Sequence, residues 1–493
     1  MAVVAVVGAG FSGLSAAAYA AQAGHEVHVF EKNTSAGGRA RQFRSEEGYV
    51  FDMGPSWYWM PDIIEAFFND FGDTVSDHYM LKKLDPAFDM VFPDKRMLSV
   101  PGDYTALEEM FDRIEKGSSR QLAKFMKGAE YKYETGMKKL AYAPSLSLAE
   151  FMKADLLKGL SKLDVFSSFR KHVGKYFNHS DIRSLMEFPV LFLGAMPKDI
   201  PALYSLMNYA GLKLGTWYPD GGFVKLVDAM VSVASRNGAN IHLHAPVQEI
   251  SIRDEKVSSL LVNGQSYPVD AVIASADYQH VETSLLAKQY RNYDEPYWNS
   301  RVLAPSCLIV FLGLRKDIGS LNHHTLFFDE DMDTHAEEIY SSPRWPSKPL
   351  FYVCNPSRSD KSLAPEGHSS LFLLMPLSPG LHDSPYMREK YFRIMLARLE
   401  KQCGEDISSF IAYKRDYCVN DFVQDYNAYK GNAYGLANTL SQTAILKPRV
   451  QNRRVKNLFY AGQLTVPGPG CPPAIVSGKI AAQQTIQYLI KNQ

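Results

Sequence analysis

Residues 3–18 read VVAVVGAGFSGLSAAA, and this stretch decides the fold. Val3-Val4-Ala5-Val6-Val7 is continuously apolar and mostly β-branched, the pattern of a parallel strand buried on both faces. Gly8-Ala9-Gly10-Phe11-Ser12-Gly13 follows, and Leu14-Ser15-Ala16-Ala17-Ala18 then favours a helix. A second strand, Val27-His28-Val29-Phe30, ends at Glu31, 18 residues after Gly13. In such a β-α-β unit Gly8 permits the tight turn, Gly10 lets backbone N–H groups approach a pyrophosphate, and Gly13 lets the helix pack closely on the strand. Phe11 and Ser12 open the helix, whose N-terminus carries partial positive charge. Glu31, followed by Lys32, would accept both hydrogen bonds from a ribose diol. The stretch predicts a dinucleotide site; a glycine-rich turn with no ligand is the plainer alternative.

Around this unit, 493 residues allow about two to four domains. Lys+Arg and Asp+Glu each number 53, with 46% apolar and 22% charged residues, an ordinary globular composition. Zero net charge argues against a nucleic-acid partner, because neutralising phosphates takes a surplus of Lys and Arg. Cys307, Cys354, Cys403, Cys418 and Cys471 are scattered without a C-x-x-C pair. They read as reduced thiols of a cytoplasmic protein, not as a disulfide framework or a structural zinc site. Residues 1–24 carry no charged side chain, but glycines at 8, 10 and 13 interrupt the apolar run and no Lys or Arg precedes Lys32. Neither a signal peptide nor a spanning helix is expected there.

The β-α-β unit fits NAD and FAD equally; the continuation separates them. Gly37-Gly38-Arg39 is followed by Gly48-Tyr49-Val50-Phe51-Asp52-Met53-Gly54-Pro55-Ser56. A second glycine turn with an arginine would bring amides and a guanidinium to the far side of a pyrophosphate, which suits a long, bent FAD. Here the sequence resembles the FAD-dependent amine oxidase/carotenoid desaturase superfamily. Near the other end, Asn457-Leu458-Phe459-Tyr460-Ala461-Gly462 leads through Pro467-Gly468-Pro469-Gly470-Cys471-Pro472-Pro473 into a helix at 474–489. Pro suits a first helical turn, and that N-terminus would face the flavin edge that becomes negative on reduction. Strands at 247–252, 258–262 and 269–274, with a turn at Asn263-Gly264, end in Ser275-Ala276-Asp277-Tyr278. By the same resemblance this segment returns to the FAD domain, Val247 meets the adenine, and Gly38, Arg39, Gly54, Pro55, Ser56, Ala276, Gly462, Pro473, Ala474 and Ile475 surround the cofactor.

Closer still is the likeness to bacterial and fungal-type phytoene desaturases. It is carried by Thr216-Trp217-Tyr218-Pro219-Asp220-Gly221-Gly222, by residues 274–278 and by residues 350–357, and also by Pro365-Glu366-Gly367 and residues 467–477. It implies an α/β fold: a discontinuous Rossmann-like FAD domain (1–75, 215–285, 445–493), a mixed-sheet substrate domain (76–115, 286–444) and a helical, membrane-associated subdomain (116–214). It implies introduction of successive double bonds into a C40 polyene, phytoene toward lycopene, with a later hydroxylated carotene as the alternative. No second GxGxxG occurs, so electrons would leave to oxygen or a quinone. A flavin amine oxidase is the alternative from another class. Gln463-Leu464-Thr465-Val466 departs from the family, many of whose members carry a polar pair before the last Pro-Gly.

Hydride loss to flavin N5 leaves a polyene cation so acidic that a weak base suffices, and the protein's work is orientation and water exclusion. No acid–base dyad stands out. Asp52, Asp220 and Asp277 are weak candidates for the base and read better as turn or cap carboxylates. Trp57-Tyr58-Trp59-Met60 and Trp217-Tyr218 suit a polyene tunnel or an aromatic core. His323-His324 and Asp329-Glu330-Asp331-Met332-Asp333 read as a solvated loop, not a metal site, and Gly431-Asn432-Ala433-Tyr434-Gly435 as a turn. Residues 120–176 hold 12 Lys/Arg against five Asp/Glu. Interleaved with Phe125, Met126, Leu140, Leu156, Leu157, Phe166 and Phe169, they predict basic amphipathic helices at a membrane surface, making the protein cytoplasmic and peripheral.

Overall fold

Val3–Val7 (β1), Phe11–Gln22 (α1) and Glu26–Phe30 (β2) form where the spacing places them, and β1 pairs with β2 in parallel. Two more parallel strands complete that side of the sheet: Ala271–Ala274 pairs with β1, and Leu458–Tyr460 pairs with Ala271–Ala274. Ala239–His242 extends the other edge beside β2. The five strands therefore come from three separate stretches of chain. The computed structural model describes residues 1–147, 150 and 163–492.

Val4, Ala5, Val6, Val27, Val29, Val272 and Ile273 are completely buried, as a parallel sheet covered on both faces requires. The carboxyl-terminal helix Cys471–Lys491 lies across α1, and the crossing is tight: a Cβ at Gly478 would stand 2.2 Å from the Ser12 carbonyl oxygen. Ser15 Oγ donates to the Ile475 carbonyl at 2.7 Å, which joins the two ends of the chain. The strands Val247–Arg253, Lys256–Val262 and Gln265–Pro268 form a small antiparallel sheet with its turn at Asn263-Gly264.

A seven-stranded mixed sheet forms the second layer, in the order 411–417, 306–314, 369–377, 351–354, 324–327, 88–91, 97–100. Ser306–Leu314 is buried along its whole length. This sheet corrects one expectation. His323 and His324 are not on a solvated loop: His324 opens the strand His324–Phe327, held between Phe351–Cys354 and Phe88–Val91, and the two side chains are 3% and 0% exposed. Of the acidic run behind them, Asp331 caps the helix Met332–Tyr340 and Asp329 pairs with Arg398.

The helical region corrects another. Phe125 and Met126, in the helix Ser118–Gly136, and Phe169 are core residues, not a face offered to lipid. Lys132 is buried and pairs with Asp164 at 2.9 Å. Lys124, Lys127, Lys138, Lys139 and Phe166 are exposed. Lys153, Lys158, Lys162, Asp155, Leu156 and Leu157 lie outside the described residues. Among the described residues, no helix is long and apolar enough to cross a membrane. All five cysteines are free.

Candidate functional site

The turn after β1 is built by contact. Gly8 takes φ +100°, and a Cβ there would meet Ala276 N at 3.2 Å. A Cβ at Gly13 would lie 1.9 Å from the Gly8 carbonyl oxygen, so only glycine lets α1 start so close to the turn. Helix α1 is capped by Gly10 with no side-chain hydrogen bond and has no acid in its first turn. Gly10, Phe11 and Ser12, at that helix start, line a large cavity, and an uncapped helix N-terminus offers N–H groups to an anion. Ser12 Oγ and Ser275 Oγ bond at 2.7 Å across the turn.

The sequence-predicted residues assemble around this cavity. Gly8, Gly10, Phe11 and Ser12 line it from the first turn, and Glu31 and Lys32 from the end of β2. Gly38, Arg39, Gly54, Pro55 and Ser56 form a second wall, with Val247, Ala276, Gly462 and Ala474 closing the rest. Three expected residues stand behind the surface. Gly13 is absorbed by helix packing. Ile475 is 2% exposed, with its carbonyl bonded to Ser15, and Pro473 packs over Gly470 instead of facing the cavity. The carboxyl-terminal helix presents Gly470, Cys471 and Ala474 instead; it too starts at a glycine with no side-chain cap.

Glu31 Oε2 accepts from Ala9 N and Oε1 from Asn33 N, both at 2.9 Å. Each oxygen keeps a further lone pair for a ribose. Arg39 is half-buried; its Nη2 donates to the Asn432 carbonyl at 3.1 Å, while Nε is buried without a partner. Burial lowers the guanidinium pKa, and Asp277 across the cavity opposes that shift. A buried orphan donor of fixed positive charge beside two uncapped helix starts fits an anionic pyrophosphate group.

Of the candidate bases, only Asp277 lines the cavity. It caps a helical turn through the N–H groups of Gln279 and His280, and burial raises its pKa. Asp52 sits outside, accepting from Gln42 Nε2 at 3.0 Å and Phe223 N at 2.9 Å, with burial pushing its pKa up to about 6. Asp220 pairs with Lys82 at 2.7 Å. Trp57 and Trp59 line the cavity, whereas Tyr58, Met60 and Tyr218 are core. The 431–435 turn does more than reverse the chain, since Ala433 and Tyr434 line the cavity. Asp425, Tyr426 and Asn427 line it too and escaped the sequence reading. Arg41 holds Asp425 at 2.6 Å, and Lys32 Nζ donates to the Gln424 carbonyl at 2.6 Å. These pairs link residues nearly 400 positions apart, and no local pattern marks them.

A second cavity adjoins the first and shares Tyr352, Leu374 and Tyr434 with it. Phe188, Leu191, Leu326, Phe328, Ile339 and Leu350 are among its walls, and no carboxylate lines it. Its one ionisable imidazole, His335, accepts from Leu350 N at 2.8 Å and donates to the Pro376 carbonyl at 3.1 Å. Burial lowers that pKa to about 4, which keeps the cavity neutral.

These features define a protein that holds a long dinucleotide beside an apolar chamber. Residues 11–486 match the flavin-containing amine oxidoreductase family. The chain is 39% identical to a carotenoid 3,4-desaturase of Haloarcula japonica over 98% of both chains. It is 32% identical to a 4,4'-diapophytoene desaturase of Staphylococcus haemolyticus, again over 98% of both. Cyclohexylamine oxidase from Brevibacterium oxydans has a similar fold, with TM-score 0.60 and 14% identity over 99% of each chain. The chain belongs to the flavin-containing amine oxidoreductase family and, within it, to the carotenoid desaturases, and its cofactor is FAD.

Proposed function

We propose that this protein desaturates an acyclic carotene, phytoene being converted stepwise toward lycopene. The observation that carries the reading is the neutral apolar cavity that meets the cofactor cavity at Tyr352, Leu374 and Tyr434. Such a chamber accepts a hydrocarbon chain and orients it without polar contacts. Bound FAD supplies a two-electron hydride acceptor. Gly8, Gly10 and Arg39 would hold its phosphates and Glu31 its ribose, and the start of the carboxyl-terminal helix would favour negative charge at the flavin. The apolar walls exclude water, and His335 adds no charge. A second reading is a later hydroxylated carotene as substrate, with which the similarity to a carotenoid 3,4-desaturase is compatible. An amine substrate is disfavoured because no acid lines the apolar cavity.

The protein would work in the cytoplasm against the membrane that dissolves its substrate, with oxygen or a quinone as electron acceptor. Exposed Lys124, Lys127, Lys138 and Lys139 support contact with anionic lipid. The test is expression in cells that supply phytoene, or in parallel a hydroxylated carotene, followed by product chromatography. New absorbance bands from added conjugation are expected in one of the two. Unchanged carotene in both, from protein carrying FAD, would remove the reading.

A further inference from the structure

An imidazole buried in a core has both ring nitrogens to satisfy, and at His323 and His324 one nitrogen of each ring goes without. His324 Nδ1 lies 2.5 Å from the Tyr352 hydroxyl, and His323 Nδ1 lies 2.8 Å from Ser359 Oγ. Nε2 of each ring is buried with no hydrogen-bond partner among the described residues. Orphan polar atoms are costly in a core, and here two occur in neighbouring residues. A third adjoins them: the Tyr218 ring is 4.5 Å from that of His323, and its hydroxyl is likewise buried without a partner.

Strand register adds a sulfur. His324 stands opposite Cys354 in the antiparallel ladder, which puts their side chains on one face of the sheet. One ring nitrogen from each histidine and Cys354 Sγ lie within 4.8 Å of one another, and all three residues are buried. We propose that His323, His324 and Cys354 bind one zinc ion inside the mixed sheet.

Zinc takes imidazole nitrogen at about 2.0–2.1 Å and thiolate sulfur at about 2.3 Å. Its tetrahedral ligands stand about 3.3–3.6 Å apart, so the widest gap has to close by no more than about 1.5 Å. The hydrogen bonds prepare the rings for it. The Tyr352 hydroxyl donates to Ser56 Oγ at 3.1 Å, so its oxygen accepts from His324 Nδ1, which leaves the lone pair of that ring on Nε2. The His324 ring also stacks on Trp57 at 4.1 Å and 9°, which fixes its plane. Burial keeps both rings neutral, His323 down to about 3, and pushes the Cys354 thiol up. Binding therefore breaks the Cys354 S–H bond: the sulfur gives its electron pair to the metal and one proton leaves to solvent. Zinc with one thiolate keeps a single positive charge, and Asp52 and Asp360, which act electrostatically on Cys354 and His323, offset it. Three protein ligands leave one position for a water, and the Tyr218 hydroxyl suits that water as a partner. Trp57 and Tyr352 line the cofactor cavity, so the ion would brace that wall from behind.

The experiment incubates tag-free, FAD-loaded protein with one equivalent of zinc chloride and desalts it. Elemental analysis should find about one zinc per chain, and X-ray absorption at the zinc edge should show one sulfur at about 2.3 Å and two imidazole nitrogens at about 2.0–2.1 Å. Cys354→Ala and His323→Asn should each weaken zinc by about 100-fold or more in competition with a chromophoric chelator, since loss of an outer partner alone costs about 10- to 100-fold. Zinc should raise the melting temperature of the unaltered protein and of neither variant. Zinc below about a tenth of an equivalent in the unaltered protein overturns the proposal. Full occupancy in both variants puts the ion elsewhere and overturns it too. If a variant loses its FAD or unfolds, the spectrum of the unaltered protein decides, and a zinc shell without sulfur overturns the site. None of these readouts uses turnover, so the outcome is separate from that of the desaturase reading.

Discussion

Gly13→Ala asks whether the cofactor turn works by close approach. The added methyl would lie 1.9 Å from the Gly8 oxygen, 3.0 Å from the Gly8 carbonyl carbon and 3.1 Å from Ser275 Oγ. Relaxed carbon–oxygen contacts sit near about 3.3 Å, so α1 and the turn must separate by more than about 1 Å. The obstacle is backbone, and no rotamer relieves it. The turn is also pinned, with Gly8 N donating to the Phe30 carbonyl at 2.8 Å and Ser275 N to the Val7 carbonyl at 2.9 Å. Overpacking of this kind costs about 1–3 kcal/mol. Taken from cofactor binding, that is a Kd for FAD about 5- to 150-fold higher, at tenfold per 1.4 kcal/mol. The assay is titration of apoprotein with FAD by fluorescence quenching, with thermal unfolding alongside. Gly128→Ala is the control. It lies in the helix Ser118–Gly136 with nothing within 4 Å of an added Cβ, so it should stabilise by about 0.5–1 kcal/mol and leave the Kd alone. If Gly13→Ala matched the unaltered protein in both Kd and melting, the account of the turn as a contact device would be wrong.

Arg39→Ala removes the guanidinium and should weaken FAD by about 10- to 150-fold, from about 1.5–3 kcal/mol for hydrogen bonds to a charged group; retention of stoichiometric FAD through gel filtration would contradict this. Lys447 is buried with its Nζ on Asn438 Oδ1 at 3.0 Å, and burial lowers its pKa to about 7. A lysine whose folded pKa is depressed binds fewer protons folded than unfolded between about pH 7 and the ordinary lysine value. Its penalty is therefore full below pH 7 and is relieved as pH rises, by up to about 1.4 kcal/mol per pH unit. Lys447→Met should flatten that rise in unfolding free energy, and parallel pH profiles would refute it. Changing Lys124, Lys127, Lys138 and Lys139 together to Glu should abolish flotation with anionic liposomes, at about 1 kcal/mol per lysine; flotation that survives would remove the proposed membrane face.

What the sequence reveals is what its chemistry keeps local. Gly8, Gly10, Gly13 and Glu31 carry the first turn within one β-α-β unit, so their spacing alone places them. Arg39, Ser56, Val247 and Gly462 follow from resemblance, and the parallel sheet brings them to one cavity because three chain segments supply its strands. Asp425 and Tyr426 had no such marker, since their place depends on Arg41 and Lys32 reaching across the fold. His323 and His324 misled for the same reason. An acidic run beside them suggests solvent, yet the strand they open is buried by register with Phe351–Cys354 and Phe88–Val91. Phe125, Met126 and Phe169, spaced among lysines, look like an interfacial face until their own neighbours cover them.

On the proposed reading the two cavities divide the work, the apolar one taking the substrate, and that bears on how such enzymes change substrate. The cofactor cavity is built from the parallel sheet and its turns, where a displacement of 1 Å meets backbone. The apolar cavity is walled by side chains from the mixed sheet and from the helix Met332–Tyr340, positions where one apolar residue replaces another at modest cost. Arg170 ties that helix to the rest by bonding both Asp333 and Glu187. If that cavity takes the substrate, chain length and position of attack would drift through Phe188, Leu326 or Ile339 while the cofactor site stays fixed. Relatives named for different desaturations, similar over 98% of the chain, are what that division leads one to find.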